Sequence, residues 1–90
     1  MNVTTRMLEK ITKGFANHRR IQIIFLLKKN PELSVLEIAD RLNISYETAS
    51  DHIRKISSAG LLLKRADGTF RRHKLSSKGE VVYKFLKSIL

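Results

Sequence analysis

Cysteine and tryptophan are absent from this 90-residue chain, proline occurs once and glycine four times. Without thiols there are no disulfide staples, no thiolate metal sites and no cysteine nucleophile, so packing alone must hold the fold. Long apolar runs are missing too. The longest, Ile23 to Leu27, falls far short of the roughly 20 residues a membrane-spanning helix needs, and it lies too deep in the chain for a leader peptide. These absences point to a soluble, cytoplasmic protein with no membrane partner. Acidic side chains are also scarce, eight against eighteen Lys and Arg, which leaves a net charge of +10. An excess of that size on so short a chain implies a polyanionic partner, nucleic acid before an anionic membrane surface.

What is present is enough to fold. A 42% hydrophobic and 29% charged composition is that of a globular chain, and the length suits one domain covering residues 1–90, with no repeat or linker. Val3, Met7, Leu8, Ile11 and Phe15 recur at helical spacing, predicting a first helix over 3–13 that stops where Gly14 offers a C-cap. Asn17 is the expected N-cap of a second helix. Ile21 and Ile23 to Leu27 make it apolar nearly all round, hence central, until Asn30-Pro31 ends it. Ser34 with Glu37 is a capping box, and Val35, Ile38, Ala39 and Leu42 form the stripe of a two-turn helix. Ser45 caps the next helix, whose buried stripe is Ala49, Ile53 and Ile56 and which closes at Ala59-Gly60.

The remainder reads as two strands, 61–65 and 69–75, joined by a turn at Ala66-Asp67-Gly68, since Asp-Gly is a strong hairpin signal. A second capping box, Ser77 with Glu80, opens a last helix over 77–90 carrying Val81, Val82, Phe85, Leu86 and Ile89. The fold class is mainly α with a β-hairpin wing (α+β), in the order α-α-(short β)-α-α-β-β-α.

A short braced helix, a tight turn, a longer helix and a basic hairpin make up a winged helix-turn-helix. The longer helix is about 10–12 Å across with its side chains and fits a major groove roughly 12 Å wide. Its expected DNA-reading residues are Ser45, Tyr46, Glu47, Ser50, Asp51, Arg54 and Lys55; those of the wing are Lys64, Arg65, Thr69, Arg71, Arg72 and Lys74. Charge agrees with this orientation, because residues 52–78 carry eight basic side chains and one acidic. Such a strip supplies sequence-independent attraction to phosphates.

From about Asn17 to Gly79 the chain resembles the ArsR-type and MarR-type winged-helix transcription regulators of bacteria and archaea. Ser34 to Ser45 is similar to their "S-x-x-E-I-A-x-x-L-x-I-S" supporting segment. Ala49-Ser50-Asp51-His52-Ile53-Arg54-Lys55-Ile56 followed by Ala59-Gly60-Leu61 resembles "V-S-x-H-L-x-x-L…A-G-L", and Leu75 to Gly79 resembles the closing "L-T-x-K-G". The resemblance implies a homodimer paired through its terminal helices. The apolar side chains of those helices agree, being many for so small a domain, and Met7, Leu8, Ile11, Val82, Phe85, Leu86 and Ile89 are the expected interface. The family's metal-sensing cysteine cluster and its histidine and carboxylate ligands on the last helix are missing. With His18, His52 and His73 on three different elements, no metal or other cofactor is expected. Catalysis is not expected either, for want of a nucleophile constellation, a glycine-rich phosphate loop or paired carboxylates. The reading is a sequence-specific regulator of double-stranded DNA. Its competitors are an architectural protein that coats DNA without preference, which the acidic Glu47 and Asp51 on the reading face favour, and a winged-helix protein-docking module.

Overall fold

In the computed structural model, which describes residues 3–90, the chain runs α1 (Val3–Phe15), α2 (His18–Lys29), β1 (Leu33–Ser34), α3 (Val35–Leu42), α4 (Tyr46–Ser58), β2 (Leu62–Asp67), β3 (Phe70–Leu75) and α5 (Ser77–Ser88). The side chain of Val3, which opens the expected apolar stripe of α1, lies outside the described set. No described helix is long and apolar enough to cross a membrane.

Each helix after the first begins where a side-chain oxygen satisfies backbone donors that lack a helical partner. Asn17 accepts from the N–H groups of Arg19 and Arg20. Ser34 Oγ accepts from Glu37 N–H while Glu37 Oε1 accepts from Ser34 N–H, completing the capping box. Ser45 Oγ accepts from Thr48 N–H at 3.0 Å. The α3–α4 turn is tight because Asn43 closes α3 in the left-handed region, φ +54°, one of the few side chains that tolerates it.

Several expected boundaries move, among them those of the strands, expected at 61–65 and 69–75 and found at Leu62–Asp67 and Phe70–Leu75. Gly14 is no C-cap: α1 continues to Phe15, and Gly14 is buried where a Cβ would stand 2.3 Å from the Ala59 Cβ. Glycine is needed there for close approach of two helices, a demand that lies in the partner and not in the local sequence. The last helix is capped one residue earlier than the Ser77–Glu80 pattern suggests. Ser76 Oγ accepts from Gly79 N–H at 3.1 Å and donates to Gly60 O at 2.6 Å, and Ser76 N–H donates to Leu61 O. Glu80 instead pairs with Lys28 Nζ of α2 at 2.9 Å. The helix ends at Ser88, with Ile89 as its C-cap.

The three strands form one antiparallel sheet in the order β1-β3-β2, with Leu33 opposite His73 and Leu62 opposite Leu75. Asp67 pairs with Phe70, so the loop is Gly68-Thr69 and not Asp67-Gly68. Gly68 at φ +62° occupies the first central position, the requirement of a type II′ turn. Ile23, Ile24 and Leu27 of α2 and Ile38, Ile56 and Leu61 around them are fully buried, so α2 is the central helix as its composition demands. Beyond Leu62 the hairpin leaves this core and projects with most side chains exposed.

His73 stands at the root of the projecting hairpin, 2% exposed, with no hydrogen-bond partner for Nδ1. Burial holds its imidazole below the ordinary value of 6.5, helped by Lys64. A folded pKa below the unfolded one means that the unfolded chain binds the proton more readily. The stabilisation is therefore complete above about pH 6.5 and is lost as the pH falls through the depressed folded value. Urea midpoints at pH 7.5 and 5.5 should fall on acidification, and His73→Leu should remove part of that fall, the similarly depressed His52 of α4 carrying another part; an equal fall in both proteins would refute the assignment.

Candidate nucleic-acid interface

Helix α4 turns Ala49, Ile53 and Ile56 inward and leaves Tyr46, Glu47 and Arg54 exposed, with Ser50 and Asp51 partly so. At about 100° per residue, Glu47, Ser50, Asp51, Arg54 and Ser58 share one outward arc. Within it Asp51 is engaged: its carboxylate bonds the Arg54 guanidinium and meets Lys55 Nζ at 3.2 Å. Lys55 first, then Arg54, holds the Asp51 carboxyl below the usual range. An acidic residue that looks hostile to phosphate is thus paired within its own helix and pre-orders two cations. Ser45, expected among the readers, is exposed but spends its hydroxyl on the cap, donating to Thr48 Oγ1 as well.

The basic residues of the wing do not form one strip, because successive side chains of a strand point to opposite faces. Lys64 and Arg71 fall on the α4 side, where with Ser50, Arg54, Ser57 and His73 they line a groove of about 500 Å³. Arg65, Arg72 and Lys74 fall on the other. Two of these three, expected to grip phosphate, are paired with carboxylates of this chain, Arg72 largely buried and Arg65 at the surface. Arg72 is three-quarters buried, its Nε 2.7 Å from Asp67 Oδ2 and its Nη1 3.2 Å from Glu37 Oε1 and 3.1 Å from the Glu32 carbonyl. It buckles the hairpin to the start of α3. Arg65 pairs with Glu32 at 2.7 Å. A strip read from charge density alone could not reveal this, since Glu32 and Glu37 lie more than 30 residues away in sequence and Asp67, five residues from Arg72, reads only as part of the turn. Lys74 is exposed, and Thr69 sits at the hairpin tip.

Met7, Leu8, Phe85 and Ile89 of the expected interface are each more than half exposed. Val82 is not available to a partner: at 7% exposure it packs in the core, and Ile11 and Leu86 are partly buried against that core. The α5 face that remains is Val81, Phe85 and Ile89, at i, i+4 and i+8, with Leu90 beyond it. The helical period puts Val82 and Phe85 about 60° apart, and the hydrophobic pattern alone could not separate the inward from the outward side.

The recognition helix free on its outer arc, braced by a two-turn helix and flanked by a hairpin ribbon, defines a winged-helix DNA-binding protein. Residues 17–62 match the winged helix-turn-helix DNA-binding family, and the chain belongs to it. Its relatives are transcription regulators, and the family is not enzymatic. The chain is 37% identical over 67 residues to the transcriptional activator HlyU of Vibrio cholerae, covering 74% of this chain and 61% of HlyU. The solved structure of HlyU superposes with a TM-score of 0.85 at 29% identity, covering 99% of this chain and 97% of that one. A putative arsenical resistance operon repressor, ArsR, of Halobacterium salinarum is 29% identical over 73 residues, covering 80% of this chain and 57% of that protein. A homodimeric winged helix-turn-helix DNA-binding domain of Mycobacterium bovis, a possible ArsR-family regulator, superposes with a TM-score of 0.87 at 25% identity, covering 96% of this chain and 80% of that one. The chain therefore spans about three fifths of the length of the curated relatives it matches.

Proposed function

We propose that the protein is a homodimeric, sequence-specific transcription regulator that places the outward arc of α4 in successive major grooves, with the wing on the flanking backbone. The observation that carries this is the pairing of an unobstructed arc, Tyr46, Glu47, Ser50 and Arg54, with the groove in which Lys64 and Arg71 face the same space. The exposed apolar faces of α1 and α5 are the dimer contact, a reading supported by the homodimeric state of the mycobacterial domain. Two-fold symmetry then sets half-sites about one helical turn, roughly 34–36 Å, apart. The cytoplasm is where such a regulator meets its DNA. An activator and a repressor both stand among the relatives, and either role fits this geometry.

Selection of bound sites from random duplex DNA tests the reading. Inverted repeats should be enriched, and affinity for them should fall steeply with salt. Enrichment without sequence preference would favour a coating protein, and failure to bind any duplex at low salt would overturn DNA recognition.

A further inference from the structure

The wing flanks only one side of α4. Relative to Arg54 the helical period puts Ser50 and Ser57 toward the wing, whereas Asp51, Lys55 and Ala59 turn the opposite way. On that opposite side lies a second groove of about 240 Å³, bounded by α1, the first turn of α2 and the end of α4. Its walls carry Lys10, Lys13, Arg20 and Lys55, and no carboxylate lines it. Two acidic groups lie near: Glu9 meets the exposed Lys13 at 3.5 Å, and Asp51 holds Lys55. Neither cancels four cations. Arg20 is fixed in place, its Nη1 donating to the Lys13 carbonyl at 3.1 Å, while its Nε is shielded from solvent without a hydrogen-bond partner among the described residues. Arg19 stands beside it with Nη1 on Gln22 Oε1 at 3.0 Å. The concentrated positive charge is felt by His52 on α4, whose imidazole is held below its ordinary value by burial and then by Arg20, with Asp51 opposing and Lys55 and Arg19 adding smaller effects in the same direction as Arg20.

A helix lying in a major groove has a sugar-phosphate backbone on each side of it. A protein that offers cations on the wing side alone would leave the second strand's phosphates unmet. We infer that Lys10, Lys13 and Arg20, with Lys55, form a second phosphate-binding rail, so that each protomer grips both strands of one groove with α4 between them. The rail rests on the DNA-reading role of α4 proposed above. It differs in kind from the wing: three packed helices carry it, and it sits next to the apolar face of α1.

Fluorescence anisotropy of a selected duplex, titrated across a range of salt, tests the rail. Lys10→Gln with Lys13→Gln alters exposed side chains, and retention of the circular dichroism spectrum verifies the fold. The slope of log K against log salt should become shallower by about 0.9 for each phosphate that a protomer no longer neutralises. The weakening should add to that of Lys64→Gln with Arg71→Gln, because the two pairs face different strands. Arg20→Gln should lower affinity in the same direction. If the Lys10 and Lys13 variant keeps the wild-type affinity and slope while the Lys64 and Arg71 variant loses both, the rail is wrong and the wing-side reading stands. A combined variant no weaker than either alone would overturn the two-strand geometry. If wild-type protein binds no duplex at low salt, the DNA-reading role itself falls, and the rail with it.

Discussion

Replacing Gly79 with alanine is expected to lower the unfolding free energy by about 2 kcal/mol or more and the melting temperature by roughly 10 °C. At an ordinary helical position the same change stabilises by roughly 0.5–1 kcal/mol. Here the added Cβ would stand 2.2 Å from the Leu61 carbonyl oxygen and 3.2 Å from the Leu75 Cβ. A backbone carbonyl cannot swing aside as a flexible side chain does. The same short connection also receives two bonds from Ser76, to Gly60 O and Leu61 O. Relief therefore requires α5 to lift from the root of the hairpin, breaking the cap and exposing Leu61 and Val82. Thermal unfolding followed at 222 nm reads the outcome directly. A variant as stable as the wild type would show that α5 sits more loosely on the Leu61 carbonyl than so close an approach requires.

The second large effect is expected from Phe85→Asp. In the protomer Phe85 is 54% exposed, beside Val81 at 66% and Ile89 at 67%, so an aspartate there costs the isolated fold little. If these side chains meet their symmetry mates, the substitution buries two unpaired carboxylates at a small interface and the dimer falls apart. A monomer binds one half-site at a time. It forfeits the effective concentration that linkage confers, so affinity for an inverted repeat should drop by roughly 10²–10⁴. Sedimentation should show a single-chain species, and affinity for an isolated half-site should change little. A variant that still sediments as a dimer would move the pairing to another face.

The architecture is legible because each boundary has a local chemical cause. Asn17, Ser34 and Ser45 cap helices whichever partners surround them, and a mid-chain Pro31 ends one anywhere. Three features are not legible for one shared reason: their cause lies across the fold. Gly14 and Gly79 answer to Ala59 and Leu61, distant in sequence, so local chemistry makes the first look like a stop signal and cannot distinguish the second from part of a cap. Arg72 looks free for phosphate because two of its three anchors, the Glu32 carbonyl and the Glu37 carboxylate, are invisible from the hairpin's own sequence, which holds only Asp67. Val82 looks free for a dimer partner because an apolar stripe on a terminal helix does not say which edge meets its own core. The candidate reading face is legible in outline, since α4 alone dictates which residues point outward. The rail formed by Lys10, Lys13, Arg20 and Lys55 is not, since it is assembled from three elements.

The contact between Gly14 and Ala59 has a mechanical consequence. Where two helices meet through bulky side chains, rotamer changes absorb small displacements; where a glycine lies on an alanine, nothing lies between the two backbones to act as a cushion. Helices α1 and α4 therefore behave as arms of one rigid lever. If α4 reads DNA and the chain pairs two-fold as proposed, a tilt imposed on α1 passes to α4 through this close approach and alters the pitch at which the two copies of α4 are offered to the duplex.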